Sequence, residues 1–295
     1  MTSTDRVAYG ARPVSMDLAR GRVLAESETD DAADPLTRFA HSPVADQLAL
    51  AHWPWCHFVV VCGLAGGTGR STLAALFAAA ITELPYAHVH KPVALVEKQP
   101  RMLSTTRRRW LAEAAPSKQD PQRAVDRYRA PVTRSGIVLP ASVPAEPQRA
   151  AYSVVVVEAP VGLPSEHDIV RAEPTSSVLL VVRPDRRSLA ETAEALVWMH
   201  DQGLVHRSRV VVVVNQGVGQ VDRGSRAAST ALAVRCRSVH KLAYNQRLGP
   251  TACLPSGTAL APFLRRPIQD ICLDVWRSSH QSTSELNPYL EEATS

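Results

Sequence analysis

The stretch His57–Ala80, HFVVVCGLAGGTGRSTLAALFAAA, decides the fold. Phe58–Cys62 is an unbroken apolar run with three valines, and it predicts a buried strand. A glycine-rich turn follows over Gly63–Gly69, and the Ala/Leu-rich segment Ser71–Ile81 predicts a helix. A strand, a glycine turn and a helix start in that order make an anion site. The first N–H groups of the helix lack intrahelical acceptors, and the helix dipole favours negative charge there. Glycine lets the backbone wrap closely around phosphates.

The loop itself reads Ala65-Gly66-Gly67-Thr68-Gly69-Arg70-Ser71-Thr72. The standard phosphate loop is G-x-x-x-x-G-K-[ST]. Leu64 stands where its first glycine belongs and Arg70 where its lysine belongs, while Ser71 keeps the hydroxyl that would meet Mg²⁺. Glycine-rich strand-to-helix turns also arise for packing alone, so the loop leaves two readings open.

Composition narrows the class. At 295 residues the chain suits one α/β domain with extensions, or two small ones, and 45% hydrophobic residues suffice for a core. No apolar run is long enough to predict a membrane span, and the N-terminus MTSTDRVAYG has no apolar segment of the kind a secretory signal needs. The five cysteines, at 56, 62, 236, 253 and 272, show no C-x-x-C pairing, which fits a reduced, cytoplasmic setting. The ten histidines show no metal spacing; His88 and His90 read as solvated loop residues. The net charge of +5 is uneven: residues 1–50 hold 5 Arg against 8 Asp and Glu, a net of −3, so the remainder carries +8. A basic body can meet nucleic acid or an acidic surface, or simply be solvated.

Along the chain, residues 1–52 read as a mobile arm, acidic at Ser27–Pro35, with a short helix expected over Ser42–Ala51. Val93–Val96 predicts a second buried strand ending in Glu97, hence a right-handed parallel crossover from the first. Residues 101–150 hold 10 Lys and Arg against 4 Asp and Glu, with Arg107–Arg109 together, and are broken by prolines. Within them Gly136–Leu139 predicts a third short strand. Tyr152–Pro160, with four consecutive valines, predicts a central strand that presents Glu158 at its C-terminal end, where ligands bind in open α/β sheets. Ser177–Arg183, Val210–Val214 and Ser238–Leu242 predict the remaining strands. Helices are expected over Ser188–His200 with Ser188 as cap, Ala227–Arg235 and Ile268–Trp276; residues 279–295 form a polar tail. The sum is an α/β fold with a doubly wound, mostly parallel sheet of about seven strands.

In their order these signals resemble the ParA/MinD family of P-loop ATPases, over about residues 56–278. That family has a deviant Walker A loop, Lys-Gly-Gly-x-Gly-Lys-[Ser/Thr]-[Ser/Thr], similar to AGGTGRST here. VALVEKQP, YSVVVVEAP, LLVVRPDRRSLAETAEAL, VVVVVNQ and KLAYNQRL match further family segments in placement. The resemblance implies ATP and Mg²⁺ as cofactors, held by Gly66, Gly67, Thr68, Gly69, Arg70, Ser71 and Thr72. It implies that Arg70 pairs with the phosphates, that Ser71 and Glu158 hold the metal, that Arg70 and Glu158 serve catalysis, and that Asn215 contacts adenine. It also implies a protein partner and a homodimer. The departures bear on turnover: the family's signature lysine is Ala65, its loop lysine is Arg70, its Walker B Asp is Glu158, and Gln99 replaces an acid. Arg for Lys is not a conservative exchange at a phosphate site. The iron-protein branch of the fold is disfavoured, because no cysteine lies between Cys62 and Cys236.

Three readings follow. One is an ATP-dependent switch with weak or absent hydrolysis, acting in the positioning or partition of DNA or of a secretion or conjugation assembly. Another is a nucleotide-independent scaffold of the same fold. The third, compatible with either, is non-specific DNA contact through Arg107–Arg109, Arg235, Arg237, Lys241, Arg265 and Arg266. The closing helix carries Asp270 and Asp274 and is not a basic amphipathic membrane helix.

Overall fold

Valine-rich runs make the strands of this protein. The computed structural model describes residues 56–82, 91–98, 130–133, 136–163, 176–217, 225–243 and 265–278. The expected arm and its helix, the Arg107–Arg109 stretch, Gln99, His88, His90, most of the KLAYNQRL segment and the polar tail lie outside these residues.

Six strands form one sheet: β1 (His57–Cys62), β2 (Val93–Glu97), β3 (Val154–Glu158), β4 (Ser177–Val182), β5 (Val210–Asn215) and β6 (Ser238–Leu242). Their spatial order is β2-β3-β1-β4-β5-β6, and every pair is parallel. Every residue of β1, β3 and β4 is buried, as expected of parallel strands covered on both faces. β-branched valine suits this setting because its stiff side chain packs well on a pleated surface.

Between the strands lie α1 (Arg70–Thr82), the short α2 (Glu146–Arg149), α3 (Arg186–Asp201) and α4 (Ser225–Ala233), followed by α5 over 265–278. α1 packs over β1, β2 and β3. On the opposite face, Phe58, Val60, Val155, Val157, Leu180 and Val212 meet Leu189, Leu196 and Met199 of α3 and Leu232 of α4. Right-handed crossovers explain the two layers: β1-to-β2 and β4-to-β5 run in opposite directions across the sheet, so their helices fall on opposite faces. The winding reverses at β1, and a ligand crevice is expected outside the carboxyl ends of the strands there.

The seventh expected strand is corrected. Within Gly136–Leu139 only Val138 bridges, parallel to Ala94 and antiparallel to Val132. Leu95 N–H donates to the Val138 carbonyl and Val138 N–H to that of Val93, both near 3 Å. The ladder stops there because Gly136 takes a left-handed φ of 87° and Pro140 has no N–H to donate. The cap of α3 also shifts. The helix begins two residues before Ser188, and Asp185 is its N-cap, accepting from Ser188 N–H and Oγ–H at 2.9 Å.

Polar contacts fasten α5. His57 Nε2 shares a hydrogen bond with Ser177 Oγ at 2.9 Å, and Ser177 Oγ one with Ser278 Oγ at 2.6 Å, joining the starts of β1 and β4 to the end of α5. At β6, His240 Nε2 lies 2.8 Å from Asp274 Oδ2, with Arg277 also near that carboxylate. Burial raises the Asp274 pKa, but hydrogen bonds from His240 and Ser238 and the charges of His240 and Arg237 outweigh it and hold the carboxyl below its ordinary range.

Two outcomes test this core. Phe77, wholly buried in α1, should cost about 3–5 kcal/mol when replaced by alanine, measured by chemical denaturation. Asp274→Asn should cost about 1–3 kcal/mol at pH 7. Because the folded pKa is depressed, this stability is present above the ordinary carboxylate value and is lost as pH falls through the folded one. Wild type and variant should therefore converge in denaturation curves as the pH falls through the folded value.

Candidate functional site

The site begins where β1 ends. A Cβ on Gly63 would lie 2.8 Å from the Val181 carbonyl oxygen, 2.9 Å from Thr68 Oγ1 and 3.1 Å from Arg70 Cδ. Glycine is therefore obligatory at the root of the loop, one residue before the position where the standard motif has it. Gly67 and Gly69 take φ of 70° and 91°, which turns the chain over and delivers it to α1. Ala65, Gly66 and Gly67 form an exposed crest; Thr68 and Arg70 are buried beneath it, and Gly69, Ser71 and Thr72 are half-buried. Leu73 N–H donates to the Gly69 carbonyl, so the N–H groups of Arg70, Ser71 and Thr72 precede the first helical bond.

β3 delivers Glu158. Its backbone stands in register with Val61 of β1 and Glu97 of β2, and its side chain is almost wholly buried. Ser71 Oγ–H donates to Glu158 Oε1 in a short hydrogen bond. The two groups assigned to the metal from sequence are thus brought together at the N-terminus of α1. Both offer oxygen, the donor type that Mg²⁺ takes, and Mg²⁺ commonly binds through one carboxylate plus substrate phosphates. Among the described residues no group of three or more His, Cys, Asp or Glu stands together as a metal site of another kind.

Arg70 opens α1. It is 6% exposed, and Nη1 donates to the carbonyl of Ala159, just beyond β3, at 2.5 Å. The guanidinium thus lies under the loop, tying α1 to the end of β3. Asn215 at the end of β5 reaches in from the other side: Nδ2 donates to the Thr68 carbonyl at 2.9 Å, and Oδ1 accepts from Gly217 N–H at 3.0 Å. Its amide therefore braces the loop. The Thr68 hydroxyl is buried without a hydrogen-bond partner.

Sequence reasoning missed two features of the site: the steric role of Gly63 and the Ala159 carbonyl. Gly63 had a signal, a glycine directly after a buried strand, whereas a backbone acceptor leaves none. Of the basic residues proposed for DNA, Lys241 and Arg266 are exposed. Arg237 is half-buried, and burial pushes its guanidinium pKa down, with Arg277 adding to this and Asp274 opposing it. Arg235 donates to the Ala231 carbonyl. The buried thiol of Cys236 is pushed up to about 11 by burial, which leaves it protonated and unreactive near neutrality. Among the described residues no helix is long and apolar enough to cross a membrane.

No protein-family model matches the chain, and no curated protein matches it significantly. Solved structures do. A plasmid partition protein of Borrelia burgdorferi bound to AMPPNP aligns with a TM-score of 0.51 at 10% identity, over 75% of this chain and 98% of that one. The fold is that of the ParA/MinD ATPases. The cell-division ATPase MinD of Pyrococcus furiosus aligns with a TM-score of 0.47 at 14% identity, over 76% of this chain and 98% of that one. A nucleotide-binding protein of Archaeoglobus fulgidus in complex with ADP aligns with 0.48 at 14%, over 74% and 94%. The ParA/MinD likeness concerns the path of the chain; the loop chemistry here differs at Ala65 and Arg70.

Gly63→Ala tests the architecture of the site. Its Cβ would press on a strand carbonyl that cannot yield, so the variant should lose about 1–3 kcal/mol in thermal or chemical unfolding.

Proposed function

We propose that the chain binds ATP with Mg²⁺ on the β1–α1 loop and acts as a nucleotide-dependent switch with weak or absent hydrolysis. The meeting of Ser71 and Glu158 beneath a glycine loop at the start of α1 carries this reading. The backbone N–H groups from Gly66 through Thr72 are assigned to the phosphates, Ser71 and Glu158 to the metal, and Asn215 to the base side of the site. Bound Mg²⁺ would neutralise phosphate charge. The Ser71 hydroxyl and the Glu158 carboxylate, which share a hydrogen bond, are the oxygen donors that would hold the metal. The AMPPNP complex of the Borrelia protein, with the same fold, supports the choice of ligand.

Slow turnover follows from charge. Ala65 offers no cation at the crest, and Arg70 is held on a carbonyl under the loop. Positive charge aimed at developing phosphate charge is a principal source of phosphoryl-transfer catalysis. The output would go to a protein partner in positioning or partition, with homodimerisation and non-specific DNA contact belonging to the same proposal. A second reading, a nucleotide-independent scaffold, rests on the three internal contacts Ser71–Glu158, Arg70–Ala159 and Asn215–Thr68, which hold the loop in shape through the protein's own groups.

Calorimetry separates the two. Wild type titrated with MgATP at ~100 μM protein should show saturable binding, weakened about ten-fold by chelating the metal or by Ser71→Ala. Absence of binding overturns the switch and leaves the scaffold.

A further inference from the structure

A polyphosphate on this loop needs a cation, and neither family position supplies one. Ala65 is uncharged, and the Arg70 guanidinium is buried on the Ala159 carbonyl. The sheet places another candidate beside the loop. β4 lies between β1 and β5, and its register pairs Cys62 with Leu180 and Val214 with Val182. One step further along, Gly63 falls level with Val181, in agreement with the 2.8 Å approach of its Cβ position to the Val181 carbonyl. Arg183 likewise falls level with Asn215.

Side-chain parity gives the face. Val178, Leu180 and Val182 enter the core under α3, as do Val212 and Val214 of β5 and Val60 and Cys62 of β1. The alternate residues Val61, Gly63, Val181, Arg183, Val213 and Asn215 belong to the other face. That face holds the underside of the loop: the Gly63 Cβ position meets Thr68 Oγ1 and Arg70 Cδ there, and Asn215 reaches the Thr68 carbonyl. Arg183 therefore follows the end of β4 level with Asn215, which touches the loop, and two residues beyond Val181, whose carbonyl approaches the loop's root at Gly63.

Its side chain is available. It is 44% exposed, and its ion pair is a single approach of Nε to Asp185 Oδ2 at 3.4 Å. Asp185 does not depend on it, because that carboxylate accepts from Ser188 N–H and Oγ–H as the α3 cap. An exposed ion pair of this kind is weak, so exchanging it for a phosphate costs little. The backbone beyond Arg183 is pinned, since Ser225 Oγ–H donates to the Pro184 carbonyl at 2.6 Å.

We propose that Arg183 supplies the phosphate-facing cation that the loop itself lacks, its guanidinium fork binding the polyphosphate of a nucleoside triphosphate seated on Gly66–Thr72. This rests on the nucleotide reading above. Guanidinium–phosphate pairs are charge-assisted and frequently bidentate, so removal of one is felt strongly.

The test is calorimetric titration of the full chain with MgATP, in wild type, Arg183→Ala and Arg183→Gln; the glutamine keeps a donor for Asp185 and removes only the charge. Both variants should unfold at the wild-type denaturant midpoint and bind MgATP about ten- to hundred-fold more weakly, with Arg183→Lys recovering part of the loss. Wild-type binding with unchanged affinity in Arg183→Gln overturns the role of Arg183 and leaves the nucleotide reading standing. No binding by wild type overturns both.

Discussion

The carbonyl of Val181 and the Cα of Gly63 stand so close that no side chain fits between β4 and the turn leaving β1. Much of the site follows from this contact. It draws the loop down onto the end of the sheet, where Thr68 and Arg70 become buried and the crest of Ala65–Gly67 faces solvent. It also fixes the first turn of α1 over the end of β3, so that Ser71 meets Glu158 and Arg70 meets Ala159. A loop lacking the motif's first glycine keeps a cradle-like path because the glycine that sterics demand is its neighbour, Gly63.

The internal contacts of the site hold its loop in shape. A buried guanidinium must be hydrogen-bonded, and an arginine at this position is longer and flatter than a lysine, so it finds the Ala159 carbonyl under the loop. Glu158, one methylene longer than aspartate, reaches the Ser71 hydroxyl directly. These contacts stabilise the loop without a ligand and remove cationic charge from the surface a phosphate would meet. The strand beside the loop carries Arg183 on the appropriate face, and a charge displaced from the loop can be supplied from there without altering the path of the chain.

Much of the sheet was legible because parallel strands covered on both faces need near-continuous apolar runs, and His57–Cys62, Val154–Glu158, Ser177–Val182 and Val210–Asn215 are such runs. Gly136–Leu139 has the same local look, yet Gly136 and Pro140 reduce it to single bridges at Val138. Ser188 has the chemistry of a cap, but Asp185, three residues earlier, has it too and takes the role, while Ser188 donates to it. Local pattern identifies candidates of the right type; which of two adjacent candidates acts depends on where the helix meets the sheet.

By itself the sequence determined the parallel α/β architecture and the glycine turn between β1 and α1. It could do so because apolar periodicity, glycine and helix propensity act over a few residues. Only the tertiary structure decided where the polar side chains go: Arg70 beneath the loop on a carbonyl 89 positions away, Asn215 on the Thr68 carbonyl, and Arg183 level with Asn215. Those placements depend on strand order and register, and neither is written in any local stretch of the chain.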